Sequence, residues 1–324
     1  MPISEDELSL KAKGGTEQMK NALLEKLGKK FLADFQIIPS RVRELDESKI
    51  RVLWCHDLPE DPESLHLANY GWKKFHKIVF VSNWQAQRYI EKYNIPWSKT
   101  VVLKNAIEPI ETTEKTYDKI NLVYHTTPHR GLQLLVPVFK KLCEKHENIH
   151  LDVYSSFNAY GWGDRDIPYQ KLFEDIEAHE NMTYHGFQEN SIVRKKLSES
   201  HIMAYPSIWP ETSCISLMEA MSAGLLCVHP NFAALPETAC DWTMMYGFIE
   251  NHNSHATQFY HVMDGAIELI RNNRHDIDMK LKGQQSYVNL FYSWEIRIKQ
   301  WEHMLNSLRN MPRNFEKKVF SYKS

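Results

Sequence analysis

The 324-residue sequence contains no apolar run approaching the roughly 18–20 residues that a membrane-spanning helix needs, which argues against a transmembrane protein. Its opening, MPISEDELSL, is acidic and lacks both the basic start and the apolar centre of a secretory leader. An excess of charge is missing too. The net charge is −2, so there is no basic field to draw nucleic acid. Cysteine is scarce: Cys55, Cys143, Cys214, Cys227 and Cys240 are odd in number, widely spaced and without a Cys-x-x-Cys pair. That pattern argues against a disulfide framework or a thiolate zinc site and reads as reduced, buried thiols of a cytoplasmic protein. No internal repeat or low-complexity tract interrupts the chain.

What is present is ordinary for a globular protein, 43% hydrophobic and 25% charged, over a length that predicts about two domains. Short β-branched runs alternate with helix-period segments. FQIIPS (35–40), RVLWCHD (51–57), KIVFVS (77–82) and TVVLKN (100–105) form a first series of expected strands. INLVYHT (120–126), IHLDVYSS (149–156), MTYHGF (182–187), HIMAYPS (201–207), LLCVHP (225–230) and TMMYGF (243–248) form a second. Met19, Leu23, Leu27 and Phe31 recur every four residues, and LQLLVPVFKKLCEKH and SIVRKKLSESH share the helical period. Such alternation predicts parallel sheets covered on both faces. The polar stretch EPIETTEKTYDK (108–119) separates the two series as an interdomain linker. Near the end, Trp294, Ile298, Trp301, Leu305 and Leu308 form one apolar stripe that must pack on something. The residues from about Pro312 read as a loose tail.

The densest information lies in SIWPETSCISLMEAMSAGLLCVHPNFAALPE (207–237). HIMAYPS reads as a strand, IWPET as a loop and Cys214 to Ala223 as a short helix, capped by Thr212 or Ser213 and closed by Gly224. Free amides and a positive partial charge make such a helix start a diphosphate site. Glu211 lies just before it and Glu219 in its second turn, among apolar residues. Carboxylates do not bind phosphate, but each can accept two hydroxyls of a vicinal diol. An anion-binding helix end flanked by two diol readers fits a nucleotide diphosphate sugar. By spacing alone, a solvent-facing helix glutamate beside an idle loop glutamate fits equally well.

PS-IWPETSCISLMEAMSAGLLCV…LPE resembles the signature of glycosyltransferase family 4, a retaining group with the GT-B fold and an E-x7-E motif; Ser207, Glu211, Glu219, Ala220, Met221, Gly224 and Glu237 fall in register. SNW (82–84) with LKNAIEP (103–109) resembles the end of the family's first domain, Ala106 replacing the usual glycine. YHTTPHRGLQLL (124–135) resembles the opening of its second domain, and SWEIRIKQWEHML its returning helix. About two-thirds of the chain is covered. The resemblance implies an α/β protein of two Rossmann-like doubly wound domains facing across a cleft. Residues 1–113 would form a shortened acceptor-side domain and 114–288 the donor domain, with 289–311 a helix crossing back and 312–324 a tail.

Carried over residue by residue, the resemblance gives Glu219 the ribose hydroxyls, Glu211 the donor sugar, and the segment Ser213, Cys214, Ile215 and Ser216 the diphosphate. Arg130 takes the place of the family's lysine at the leaving phosphate, and His125 stands where the family has an arginine. Gly14 and Gly15 in KGGTEQM resemble the family's glycine pair near the donor phosphates, although two glycines before a helix also suit a plain turn. His56 in WCHDLPE falls where the family often has a histidine beside the reacting sugar; a chance placement among 16 histidines stays open. Asp164-Arg165-Asp166 has the spacing of a metal-binding D-x-D, but without its architecture reads as a solvated loop or a wall of the donor pocket.

The expected activity is hexosyl transfer from a nucleotide diphosphate sugar to a hydroxyl of a glycan, lipid-linked or protein acceptor, as in polysaccharide biosynthesis. Glu211, His56 and Arg130 are the candidate catalytic residues. No permanently bound cofactor, no metal and no nucleic-acid partner is expected, and membrane contact is at most peripheral. The alternatives are a nucleotide-sugar epimerase of the same fold and a non-catalytic nucleotide-sugar binding protein.

Overall fold

The computed structural model describes residues 14–310, so the acidic opening and the tail from Pro312 lie outside the described residues. Two parallel sheets organise the molecule. The first holds β1 (Phe35–Pro39), β2 (Ile50–Cys55), β3 (Lys77–Phe80) and β4 (Thr100–Val102) in that spatial order. Alternation decides its two faces. Phe35, Ile37, Val52, Trp54 and Val79 point to one side, Ile38, Leu53, Cys55, Ile78 and Phe80 to the other. Helix α1 (Gly15–Phe31) covers the former and α2 (Asn83–Tyr93) the latter.

The second sheet holds β5 (Ile120–Tyr124), β6 (Ile149–Val153), β7 (Met182–Tyr184), β8 (Ile202–Ala204), β9 (Leu226–Pro230) and β10 (Met244–Tyr246) in the order β10-β9-β8-β5-β6-β7. Around it run α3 (Leu132–Lys145), α4 (Gln170–Glu177), α5 (Asn190–Glu199), α6 (Ile215–Ser222), α7 (Leu235–Ala239), α8 (His252–Asn272) and α9 (Arg274–Phe291). The order reverses between β5 and β8, and at such a reversal the loops part to leave a crevice beyond the carboxyl ends of the strands. Both units are Rossmann-like, but among the described residues only the second contains this switch.

All ten expected strands form, and all but β9, which runs to Pro230 as predicted, end short of the predicted run. HIMAYPS, for example, contributes only Ile202–Ala204. Apolar composition does not mark where a chain leaves its ladder, and the residues trimmed from β5, β6 and β7 belong to the loops of the cleft. Helix α10 (Trp294–Arg309) carries the predicted stripe back to the first domain, where Trp294, Trp301, Leu305 and Leu308 join its core and the Trp301 ring meets Trp54 at 4.9 Å. The polar linker does not hang free, since the second domain holds it. The Ile110 amide donates to Ser222 Oγ (2.8 Å), Thr113 Oγ1 to the Ser198 carbonyl (3.1 Å) and Lys115 Nζ to that of Ala223 (3.0 Å).

Glu237 fastens the domains from the other side. Its carboxylate accepts the Asn83 amide (2.8 Å) and the Trp84 amide (3.0 Å) at the start of α2, and pairs with Lys104. Among the described residues no helix is long and apolar enough to cross a membrane, and the five cysteines are unpaired.

Candidate active site

The cleft forms where two loops of the second sheet meet. After β5 the chain makes one tight turn, Pro128–Arg130, and enters α3 through Gly131. Gly131 has φ +126°, and a Cβ there would stand 2.2 Å from the Pro206 carbonyl oxygen. Only glycine lets this loop press against the loop after β8, an approach completed by the Ile208 amide donating to the Arg130 carbonyl at 3.3 Å. The second loop leads into α6. Its end is a full Schellman motif: Gly224 at φ +67°, the Leu225 amide on the Ala220 carbonyl (3.0 Å) and the Gly224 amide on that of Met221 (3.1 Å). Its start differs from expectation. Cys214 is the N-cap and no side chain caps the helix; the Thr212 hydroxyl donates instead across the domain boundary to the His56 carbonyl (2.7 Å).

The cleft encloses about 620 Å³. It gathers Gly14 and Gly15 from one domain and His125, Arg130, Ile215, Ser216 and Glu219 from the other. Within α6 the first amide with an intrahelical carbonyl is that of Met218, on Cys214 at 3.1 Å. The amides of Ile215 and Ser216 before it stay available to an anion. Gly14 is closely packed where it stands: a Cβ would fall 2.4 Å from the Tyr160 ring. Ser213, Cys214, His56 and Glu211 are not in the lining.

Glu211 lies behind Arg130. Its Oε1 accepts Arg130 Nη1 at 2.6 Å and the Tyr205 hydroxyl at 2.5 Å, and the residue is 5% exposed. Burial works against the charge on Arg130, but Glu211 together with Tyr160, Tyr205 and Cys214 outweighs it and keeps the guanidinium protonated. Its Nη2 also reaches the Tyr160 hydroxyl at 3.4 Å, and its buried Nε has no partner. Glu219 contrasts with this: it lines the cleft, and its Oε1 takes Arg194 Nη1 at 2.8 Å and Asn190 Nδ2 at 3.3 Å.

The two histidines are both neutral. Burial pushes His125 down to about 4, only partly offset by the hydrogen bond between its Nε2 and the Ser216 carbonyl (3.1 Å). It therefore adds no positive charge near neutral pH, and the cationic side chains lining the cleft, among the described residues, are Arg130 and Arg194. Burial pushes His56 down to about 3; its ring lies 4.5 Å from that of Trp54, and its Nε2 has no partner. Asp166 of the D-x-D clamps its own loop, accepting the Ser156 hydroxyl (2.5 Å) and the Phe157 amide (2.9 Å). Among the described residues no group of three His, Cys, Asp or Glu side chains could hold a metal ion.

Several cleft residues carried no sequence signal of their own. Arg194 sits in a polar helix, Tyr160 just before the loop that reads as solvated, and Glu17 in the first turn of α1, its carboxyl pushed up by burial. Only the fold brings them together. A glycine pair at a helix start was the one local hint of Glu17.

With this geometry in view, comparison with known proteins is informative. Residues 104–282 match the family model described as glycosyl transferases group 1, more than half of the chain. A phosphatidylinositol N-acetylglucosaminyltransferase subunit from Homo sapiens is 27% identical over 141 residues, 42% of this chain and 28% of that protein. The phosphatidylinositol N-acetylglucosaminyltransferase GPI3 subunit of Saccharomyces cerevisiae (strain YJM789) is 22% identical over 258 residues, 72% of this chain and 55% of that protein. The chain thus spans about a quarter to a half of the length of these relatives. Among solved structures, a glycosyltransferase from Rickettsia africae ESF-5 superposes with a TM-score of 0.67 at 17% identity, covering 95% of this chain and 84% of the other. The pneumococcal O-GlcNAc transferase GtfA, solved with UDP and GlcNAc, gives 0.64 at 12% identity, over 91% and 60%. These structures share the two-domain fold.

Proposed function

Since the chain belongs to the glycosyl transferases group 1 family, we propose that it is a retaining glycosyltransferase that moves a sugar from a nucleotide diphosphate to a hydroxyl of a glycoconjugate. The observation that carries this reading is one cleft, at the strand-order reversal, holding a free helix start, a cation and an acidic diol acceptor together. The Ile215 and Ser216 amides and Arg130 suit a diphosphate, Glu219 suits the ribose, and Gly14 and Gly15 close the opposite wall. The E-x7-E spacing of Glu211 and Glu219 supports placing the chain in family 4 of these enzymes.

In the proposed reaction the bond between the sugar's anomeric carbon and the diphosphate oxygen breaks as the acceptor oxygen bonds to that carbon on the same face. The acceptor's proton passes to the departing phosphate. Arg130 and the α6 amides stabilise the charge that develops there, a preorganised donor set able to act without a metal ion. Glu211 serves this chemistry by fixing the Arg130 guanidinium rather than by touching the sugar, a revision of the role the resemblance gave it. His56 is too far inside the domain boundary to line the cleft and acts there as a neutral group at most.

The relatives' names make N-acetylglucosamine the sugar, and an inositol lipid the acceptor, to try first. The unpaired cysteines suit a cytoplasmic site of action. The test is a screen of nucleotide sugars for release of nucleoside diphosphate, with and without acceptors. Acceptor-dependent release supports the proposal; a new sugar nucleotide formed from donor alone means an epimerase. Binding without turnover on any acceptor means a binding protein.

A further inference from the structure

We propose that Arg194 is a positioning residue that holds Glu219 ready for the ribose diol, an inference that rests on the donor-site reading above. Nothing in the sequence marks it, but both arms of its fork are used. Nη1 donates to Glu219 Oε1 at 2.8 Å, while Nη2 donates to the carbonyls of Glu108 and Pro109 at 2.9 and 3.0 Å. Those carbonyls are fixed points, because the next residue, Ile110, is buried and tied through its amide to Ser222 Oγ of α6 (2.8 Å). Arg194 therefore connects the interdomain linker to the donor glutamate through a rigid planar group.

The division of labour on Glu219 gives this connection its meaning. Arg194 and Asn190 both use Oε1, and among the described residues Oε2 accepts no hydrogen bond. A glutamate carboxylate is a mobile group on rotatable bonds. With one oxygen anchored, the other is presented to the cleft at a set position, and the entropy of ordering it is lost on folding rather than on binding. A lysine at 194 keeps the charge but has no second arm for the linker carbonyls.

The role predicts a specific loss. A diol reader distinguishes a ribonucleotide from its 2′-deoxy counterpart, and a hydrogen bond to a carboxylate corresponds to about tenfold in affinity. The experiment measures dissociation constants of uridine, guanosine and adenosine diphosphates and their 2′-deoxy forms for the full chain and for Arg194→Ala, Arg194→Lys and Glu219→Gln, with thermal unfolding as the check on folding. Wild type is expected to favour the ribo form of the base it accepts by about tenfold. Arg194→Ala is expected to weaken the ribo form by about that factor and leave the deoxy form within about twofold, matching Glu219→Gln, with Arg194→Lys between. A retained tenfold preference in folded Arg194→Ala overturns the proposal. Equal losses for both forms also overturn it, since Arg194 then contacts the diphosphate or the base itself. Should Arg194→Ala not fold, Arg194→Lys decides by the same ratio. A wild type that binds no nucleoside diphosphate overturns the donor-site reading, a failure distinct from a wild type that discriminates and a variant that still does.

Discussion

Two glutamates stand on one strand–loop–helix element with seven residues between them, each bound to an arginine, and their surroundings differ in kind. Around Glu211 the pocket is closed: Arg130 and Tyr205 share one oxygen, and the side chain is only 6% exposed. Glu219 is nearly as buried, its side chain 9% exposed, but it lines the cavity, where Arg194 and Asn190 hold one of its oxygens. The difference follows from position. Glu211 lies in the loop after β8, pressed against the loop after β5 at the strand-order reversal, whereas Glu219 lies a turn and more into α6, on the side the helix turns to the cleft. An ion pair serves as scaffold where its carboxylate lies behind the cleft wall and as a binding device where the carboxylate lines the cleft. In sequence they were a matched pair of diol readers.

The comparison is broken most sharply by Arg130→Ala. Removing the cation at the leaving phosphate is expected to lower kcat about a thousandfold, the scale of losing one preorganised donor to a developing charge. Single-turnover assays with saturating donor would check it. If kcat survives, the closed pair has no part in the chemistry. Next in size is Glu211→Ala, which leaves a half-buried guanidinium without its counter-ion. Breaking a fully buried pair from one side costs roughly 3–5 kcal/mol; with Arg130 open to the cleft, a loss of about 2 kcal/mol is expected in denaturant unfolding. Glu219→Gln, at the open pair, is expected to raise the donor KM about tenfold with kcat within a few-fold and stability nearly unchanged. Equal effects on stability from both glutamates would erase the distinction.

How far this was legible in sequence depends on which residue is asked about. The β-branched runs marked every strand centre, since alternation and burial are local properties, and the four-residue spacing of Trp294 to Leu308 marked the returning helix. The ends of the strands were not marked. His125 reads in sequence as a titratable substitute for a fixed charge, yet burial makes it neutral, and burial is a property of the finished fold. Arg194 looks like any cation on a polar helix face. What distinguishes it is a pair of linker carbonyls some 85 positions away, which no spacing rule reaches. The same holds for Tyr160, whose contact with Gly14 joins a loop of one domain to the first helix of the other.

Glu237 offers the smallest effect and the cleanest control. It is more exposed than either, both its oxygens are engaged, and it touches the start of α2 and Lys104 rather than the cleft. Burial raises its carboxyl, and the Asn83 amide, Lys104 and the Trp84 amide outweigh that and hold it below the ordinary value of 4.5. Its charge therefore stabilises the folded state above that value, and the contribution is lost as pH falls through the depressed folded pKa, because the unfolded chain takes up the proton first. Glu237→Gln keeps the shape and removes the charge, so at pH 7 it is expected to lose about 1 kcal/mol, with two amides and a lysine left to a weaker acceptor. Below the depressed folded pKa the wild-type and variant unfolding curves should converge, and nucleotide affinity should not change at any pH. A gap that persists in acid would mean the clasp is held by geometry rather than charge. A change in nucleotide affinity would mean that closing the two domains, and not the open glutamate alone, sets the strength of the site.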